Sequence, residues 1–350
     1  MKIAIILGTR PEIIKVSPII KELEKRKLDY FVIHTNQHFS DNMDKIFFDE
    51  LRLPQPKYNL NINSCSHSEM VGKMLIEMEK ILLNEKPDVV FVQGDTNSVL
   101  AGALTSSKLG IKVGHIESGL RSFDREMPEE INRVITDHIS DYLFAPTMEA
   151  KENLLKEGID NEKIFVVGNT IVDVVYKNVK LCKKNNEKYF LITLHRPSNT
   201  DIKENLNKII RGLKIVYRKY KIKMIFPIHP RTMKKIKEYK IKIPNFIETI
   251  EPVGYLKFLE LQSNARLIFT DSGGIQEEAC ILGVPCITLR ENTERPETIE
   301  VNSNFLSGID SNKMLFGCKK MLGCSKKWKN PFGDGKSAKR IINILQKGKI

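Results

Sequence analysis

The residues best equipped for chemistry in this chain stand where short apolar runs stop. The stretch Asp271-Ser-Gly-Gly-Ile-Gln-Glu-Glu-Ala279 follows the apolar run Arg266–Thr270 and precedes a helical segment that ends before Gly283. A strand, a small-residue turn and a helix start in that order leave backbone N–H groups free to cradle a phosphate, with the helix dipole favouring its charge. Gly273 and Gly274 would let a diphosphate approach closely, Ser272 could donate its hydroxyl, and Glu278, one turn into the helix, could accept from ribose hydroxyls. The same residues would equally serve as a plain tight turn of an α/β fold. Glu117 ends another apolar run beside His115 and Arg121, and His195 and His229 each follow one directly, an arrangement that points to function more than to a core histidine. Asp95 lies just past a strand end, where capping the next helix is the competing role. Arg10 and Lys15 sit at the end of a first strand and on the helix after it. Glu129 and Glu130 open a helix, where the dipole alone favours acidic residues.

The elements that must position these groups alternate. Apolar runs at 3–7, 30–35, 88–92, 111–116, 142–145 and 164–167 predict strands, with helices expected between them, among them 41–49 and 67–84. A second series starts at 189–194 and continues at 224–228, 246–250, 266–270 and 284–289, with a helix expected over 201–219. Residues 54–66 read as an ordered loop, and 337–345 as a last helix. Helices between successive strands imply parallel sheets covered on both faces, with ligands at the carboxyl edge. The expected organisation is therefore α/β: an N-terminal Rossmann-like domain over 1–168, a bridging helix and linker over 169–188, a C-terminal Rossmann-like domain over 189–335, and a terminal helix over 336–350 able to pack back on the N-terminal domain.

Composition narrows the partners. The chain of 350 residues carries a net charge of +13, made up of −5 over residues 1–168 and +18 over residues 169–350. Many of the lysines fall on helix faces, and no nucleic-acid-binding module is recognisable, so an anionic small ligand suits the pattern better than nucleic acid. No apolar span of membrane length and no signal peptide is present, which predicts a cytoplasmic protein without membrane insertion. The six cysteines contain no Cys-x-x-Cys and are expected to be free thiols.

Gly8-Thr-Arg-Pro-Glu-x-x-Lys15, Gln93-Gly-Asp-Thr96, Gly114-His-x-Glu-x-Gly-Leu-Arg121, Pro128-Glu-Glu-x-Asn-Arg133, His195-Arg196, Asp271-Ser-Gly-Gly-x-Gln-Glu-Glu278 and Thr293-Glu-Arg-Pro-Glu297 occur in that order along almost the whole chain. Together they resemble the non-hydrolysing UDP-N-acetylglucosamine 2-epimerases. The resemblance implies a glycosyltransferase-B-like architecture, two Rossmann-like domains facing across a cleft, usually in a homodimer. It also implies interconversion of UDP-N-acetylglucosamine and UDP-N-acetylmannosamine with no cofactor and no metal. The C2 proton of the sugar is not acidic, and in the family UDP is eliminated to leave 2-acetamidoglucal, then added back with protonation at the opposite face of C2. Such a route needs carboxylates near C2 and cations for the leaving diphosphate.

By the same resemblance, Asp95, Glu117 and Glu129 are the carboxylates for proton transfer, with Glu130 the rival of Glu129. Arg10, Lys15 and His195 handle the diphosphate. Phe258 lies against uracil, Ser272, Gly273, Gly274 and Glu278 hold phosphates and ribose, and Arg295 adds an anion or sugar contact. Many bacterial relatives bind a second, activating UDP-N-acetylglucosamine, and the matching elements would include Gln37, His38 and His229. Two departures bear on that site: His195-Arg-Pro-Ser-Asn199 replaces the commoner His-Arg-Arg-Glu-Asn, leaving Arg196 as the substitute arginine, and Asn36 stands where glycine is usual. A hydrolysing epimerase, a sugar transferase and a silent nucleotide-sugar sensor are the rival readings.

Overall fold

The computed structural model describes residues 1–37, 41–62, 66–325 and 327–348, with the backbone alone for 41–45. His38 and Cys65, both singled out by sequence, lie outside the described residues. In chain order the first series is β1 (Lys2–Leu7), α1 (Arg10–Lys25), β2 (Asp29–His34), α2 (Asp41–Glu50), β3 (Tyr58–Asn59), α3 (His67–Glu85), β4 (Val89–Gln93), α4 (Asn97–Lys108), β5 (Lys112–Ile116), α5 (Pro128–His138), β6 (Tyr142–Ala145), α6 (Met148–Lys156) and β7 (Ile164–Val166), ending in α7 (Thr170–Asn178). The second is β8 (Tyr189–Thr193), α8 (Pro197–Thr200), α9 (Lys203–Tyr220), β9 (Lys223–Pro227), α10 (Pro230–Glu238), β10 (Ile247–Ile250), α11 (Tyr255–Asn264), β11 (Leu267–Thr270), α12 (Gly273–Leu282), β12 (Cys286–Thr288), α13 (Pro296–Glu300), β13 (Asn304–Leu306) and α14 (Ser311–Gly323), followed by α15 (Ser337–Lys347).

The chain divides into two compact units. One is Met1–Val174 together with Phe332–Ile350, the other Val175–Pro331. The first division falls inside α7 rather than at its start. α15 belongs to the first unit, where Arg26 Nη1 donates to Gln346 Oε1 at 2.6 Å.

In the first unit seven strands pair in parallel in the order β3-β2-β1-β4-β5-β6-β7. Central β1 is buried from Ile3 to Leu7 because helices cover both faces of the sheet, which is why it reads as an unbroken apolar run. Ala4 and Ile6 share one face with Ile33, Val92, Met74 and Leu82. α1 begins with a capping box from Thr9 to Glu12 and a proline in its first turn. The second unit repeats the design with six strands, β10-β9-β8-β11-β12-β13, all parallel. Both orders reverse beside the first strand of their series, between β1 and β4 and between β8 and β11. At such a switch point the loops leave toward opposite faces and open a crevice at the carboxyl edge.

Some elements differ from expectation. Residues 54–66 contain β3, a two-residue edge strand too short to show a pattern. The helix expected at 201–219 is α9, and a short helix that was not anticipated, α8, precedes it, parted from it at Asp201–Ile202. Three elements between Pro296 and Ser337 were not anticipated. α14 is the largest of them, and its apolar stripe of Met314, Cys318 and Met321 joins the core against α9, although lysines and glycines dilute the period in sequence. The five described cysteines are free.

Candidate active site

In the first unit, the loops after β1, β4 and β5 carry the candidate residues. Gly8 is glycine because space demands it: a Cβ there would stand 2.0 Å from Thr35 Oγ1 and 2.3 Å from Ser98 Oγ. Lys15, on the buried side of α1, reaches Glu117 at 2.7 Å to Oε1 and 2.6 Å to Oε2, and Gln93 Nε2 donates to Oε2 at 2.5 Å. Both Lys15 and Glu117 are 7% exposed. Glu117 holds a left-handed backbone with φ 71°, a conformation unfavourable for a side chain of this kind. Asp95, whose side chain is 35% exposed, is paired with Arg133 of α5, and its backbone carbonyl accepts from Asn132 Nδ2 at 2.9 Å.

Glu129 and Glu130 part company. Glu130 is buried and accepts from Ser122 N at 2.9 Å, Phe123 N at 3.0 Å and Arg133 Nη1 at 2.6 Å, which makes it a loop anchor. Glu129 is half-buried, and no hydrogen bond or ion pair to it forms among the described residues. Arg10 opens α1 with its guanidinium 5.8 Å from the centre of the Phe47 ring. Glu12, not singled out by sequence, accepts from Gly8 N at 2.6 Å, Thr9 N at 2.7 Å and Thr96 Oγ1 at 2.5 Å, tying the loop after β1 to the one that carries Asp95. Burial pushes its carboxyl up to about 7 despite those donors.

In the second unit the loops after β8 and β11 meet at the switch point. Buried Asp271 accepts from His195 N at 3.2 Å, Arg196 N at 3.1 Å and Asn199 Nδ2 at 3.2 Å, and its Oδ1 lies 3.1 Å from His195 Nδ1. Burial pushes the Asp271 carboxyl up, but the His195 ring and these donors outweigh it and hold it below the usual carboxylate range. The His195 side chain is 51% exposed, and among the described residues nothing bonds its Nε2. A histidine oriented through Nδ1 with Nε2 open is placed for proton transfer.

Ser272 is the N-cap of α12, and Gly273 and Gly274 open that helix. Neither glycine has a positive φ, and a Cβ on either would meet nothing nearer than 3.6 Å. The fold itself does not require glycine there. Arg295 stands beside Gly273, paired with buried Glu277 and donating through Nη1 to the Glu294 carbonyl at 3.0 Å. Glu278 is buried and accepts from Gln262 Nε2, and Phe258 is half-buried against the cluster of Leu191, Ile268 and Ala279.

Compared with known sequences, residues 21–346 match the family model described as UDP-N-acetylglucosamine 2-epimerase. The chain is 61% identical over 365 residues, the whole of both sequences, to the UDP-N-acetylglucosamine 2-epimerase of Methanocaldococcus jannaschii. The chain belongs to this family. A crystal structure of the Methanocaldococcus jannaschii protein in complex with UDP-GlcNAc and UDP superposes with a TM-score of 0.95 at 62% identity, covering 99% of this chain and 100% of that one. A UDP-2,3-diacetamido-2,3-dideoxy-D-glucuronate 2-epimerase of Pseudomonas aeruginosa is 40% identical over 99% of this chain and 100% of its own. Two Rossmann-like domains with parallel sheets are the architecture of this family.

Within the family frame, the first unit brings Arg10, Lys15, Asp95, Glu117 and Glu129 to one sheet edge, and the second brings His195, Ser272, Gly273, Gly274 and Arg295 to another. The residues matched to an activating site have local duties. Gln37 Oε1 accepts from Ser98 N at 3.0 Å, His229 caps α10 by accepting from Arg231 N at 3.2 Å, and Arg196 lies 3.9 Å from Glu294. Asn36 has φ 59°, so the position usually held by glycine keeps its left-handed backbone with the side chain that tolerates it best. Sequence reasoning did not assign roles to Asp271, Arg133 or Glu12. Asp271 opened the stretch that was read as a phosphate turn, and its distance from His195 in sequence hid the pair. Among the described residues no group of three or more His, Cys, Asp or Glu side chains is placed to hold a metal ion, and no described helix is long and apolar enough to cross a membrane.

Proposed function

We propose that this chain interconverts UDP-N-acetylglucosamine and UDP-N-acetylmannosamine without net hydrolysis. The observation that carries the reading is identity of 61% along the whole length of a protein named for that activity. In the forward direction the C1–O bond to the β-phosphate breaks and its electrons leave with UDP. The C2–H proton passes to a carboxylate, and the C–H pair forms the C1=C2 bond of 2-acetamidoglucal. In the return step a phosphate oxygen attacks C1 and a proton is delivered to the opposite face of C2.

Two protein groups must then exchange protons with C2, one on each face, and Asp95, Glu117 and Glu129 are the candidates. The freedom of Glu129 and the anchoring of Glu130 favour Glu129. His195, aimed by Asp271, protonates the departing phosphate oxygen, and Arg10 and Lys15 stabilise its charge. Ser272, Gly273 and Gly274 receive the diphosphate at the N-terminus of α12, with Arg295 behind them. Phe258 lies against uracil and Glu278 accepts from ribose.

A homodimer is part of the same reading, supported by Ile76 and Leu83 of α3, which are 57% and 55% exposed at a spacing of seven residues. Activation by a second UDP-N-acetylglucosamine would use Gln37, Arg196 and His229. A lag in the reverse reaction from pure UDP-N-acetylmannosamine, abolished by added UDP-N-acetylglucosamine, tests it. The main reading is tested by proton NMR of the purified protein with UDP-N-acetylglucosamine in deuterated buffer. UDP-N-acetylmannosamine with deuterium at C2 is expected. Free N-acetylmannosamine with stoichiometric UDP would indicate hydrolysis, and saturable binding without exchange would overturn the reading.

A further inference from the structure

α5 is built inside out. It buries Glu130, Asn132, Arg133, Thr136 and Asp137, while Ile131 and Ile135 are 43% and 39% exposed. Burial of apolar area would favour the reverse, so the polar face has another use. Glu130, Asn132, Arg133 and Asp137 each grip a segment after β4 or β5. Asn132 and Arg133 take the carbonyl and the carboxylate of Asp95. Glu130 holds Ser122 and Phe123, and Asp137 Oδ2 accepts from Gly119 N at 3.1 Å. Asp137 also reaches Gly94, next to Asp95, through one intermediary. His115 Nδ1 lies 2.6 Å from Asp137 Oδ1 and its Nε2 lies 2.8 Å from the Gly94 carbonyl oxygen.

A carbonyl oxygen can only accept. Asp137, with Arg121 Nη1 2.8 Å from Oδ2 and a backbone N–H on the same oxygen, is placed to accept as well. His115, fully buried, is wedged between α5 and the turn at Gly94, whose φ is 86°, and each of its ring nitrogens faces an acceptor. We propose that His115 is a positioning residue for the epimerisation: by donating to Asp137 and to Gly94 at once, it sets the placement of the Asp95 carboxylate. The inference rests on the proposed function, since it gives Asp95 a task that its placement affects.

The test uses His115→Gln, whose single amide can satisfy one acceptor but not both, assayed with UDP-N-acetylglucosamine alone and on an Asp95→Asn background. With positioning, kcat falls by roughly 30-fold or more while KM stays within about twofold, and the same change on Asp95→Asn costs less than about twofold, because the group being positioned is already disabled. A purely structural role would lower both backgrounds alike. Equal losses, or a folded His115→Gln with unchanged kcat, overturn the proposal. Should that variant not fold, nitrogen-15 NMR of histidine-labelled unaltered protein decides: two hydrogen-bearing nitrogens on His115 support it, and one overturns it. Absence of epimerisation by the unaltered protein would bring down the proposed reaction together with this inference, whereas an active protein with a fully active His115→Gln brings down the inference alone.

Discussion

The two switch points share a topology and differ in how they treat charge. At the edge of the first unit the carboxylates face cations from neighbouring elements, Glu117 against Lys15 and Asp95 against Arg133, and α5 grips the loops that bear them. At the edge of the second unit one buried carboxylate, Asp271, serves a half-exposed histidine, and a helix N-terminus is left bare by two glycines. The first arrangement suits carboxylates that must keep fixed positions while a proton moves on and off carbon. The second suits reception of a diphosphate, where backbone donors and one mobile proton suffice. The same sheet order thus fixes where a site forms, and the residues in the loops decide what it handles.

The largest effects should come from the groups that differ most between the two edges. Asp95→Asn, Glu117→Gln and His195→Ala should each lower kcat by at least about 100-fold, with circular dichroism unchanged. Near-normal epimerisation by all three would dissolve the division of labour. Asp271→Asn should lower kcat by roughly 10-fold or more without preventing nucleotide binding, because the ring loses its orienting acceptor, and steady-state kinetics beside UDP titration calorimetry would show it. The neighbouring glutamates should separate: Glu129→Gln lowers turnover at unchanged melting temperature, whereas Glu130→Gln destabilises by about 2 kcal/mol through disrupted buried hydrogen bonds. Thermal melts and assays on the pair would reverse the assignment if the effects were exchanged.

The edges should also respond oppositely to pH. Glu294 is buried, which pushes its carboxyl up, but Arg290 outweighs burial and brings it to about 2. Its unfolded value is about 4.3, so its stabilisation is present above that pH and is lost as pH falls toward about 2. Glu12, raised to about 7, has the opposite sign: its contribution is present below about 4.3 and is lost as pH rises through about 7. Melting temperatures of Glu294→Gln and the unaltered protein should differ at pH 7 and draw together below about pH 4, converging only toward about pH 2, and a constant gap would contradict the assignment. The smallest structural effect belongs to Gly273→Ala. Stability should change by no more than about 1 kcal/mol, while KM for UDP-N-acetylglucosamine rises by about 10-fold as the methyl obstructs the diphosphate. An unchanged KM would remove the ligand as the reason for that glycine.

Much of the scaffold was legible because strands buried on both faces write themselves as continuous apolar runs. β3 and β13 were not, since two or three edge residues carry no period, and the stripe of α14 was diluted by lysine. The candidate residues were legible as positions after strands, and the family resemblance supplied roles that spacing alone left open. Their partners were not legible. Asp271 and His195 are 76 positions apart, and Lys15 and Glu117 are 102 apart.

The sequence by itself determined that this is a parallel α/β chain in two series, which strand ends carry reactive side chains, and, through its ordered motifs, the reaction expected. That follows from local physics: hydrophobic period, glycine and proline at turns, acidic helix starts. Only the tertiary structure decided which glutamate of Glu129 and Glu130 is an anchor, which carboxylate aims His195, and that α5 turns its polar face inward to hold the loop of Asp95. Those choices depend on distances across the sheet edge and on burial, and both are set by how strands far apart in sequence come to lie side by side.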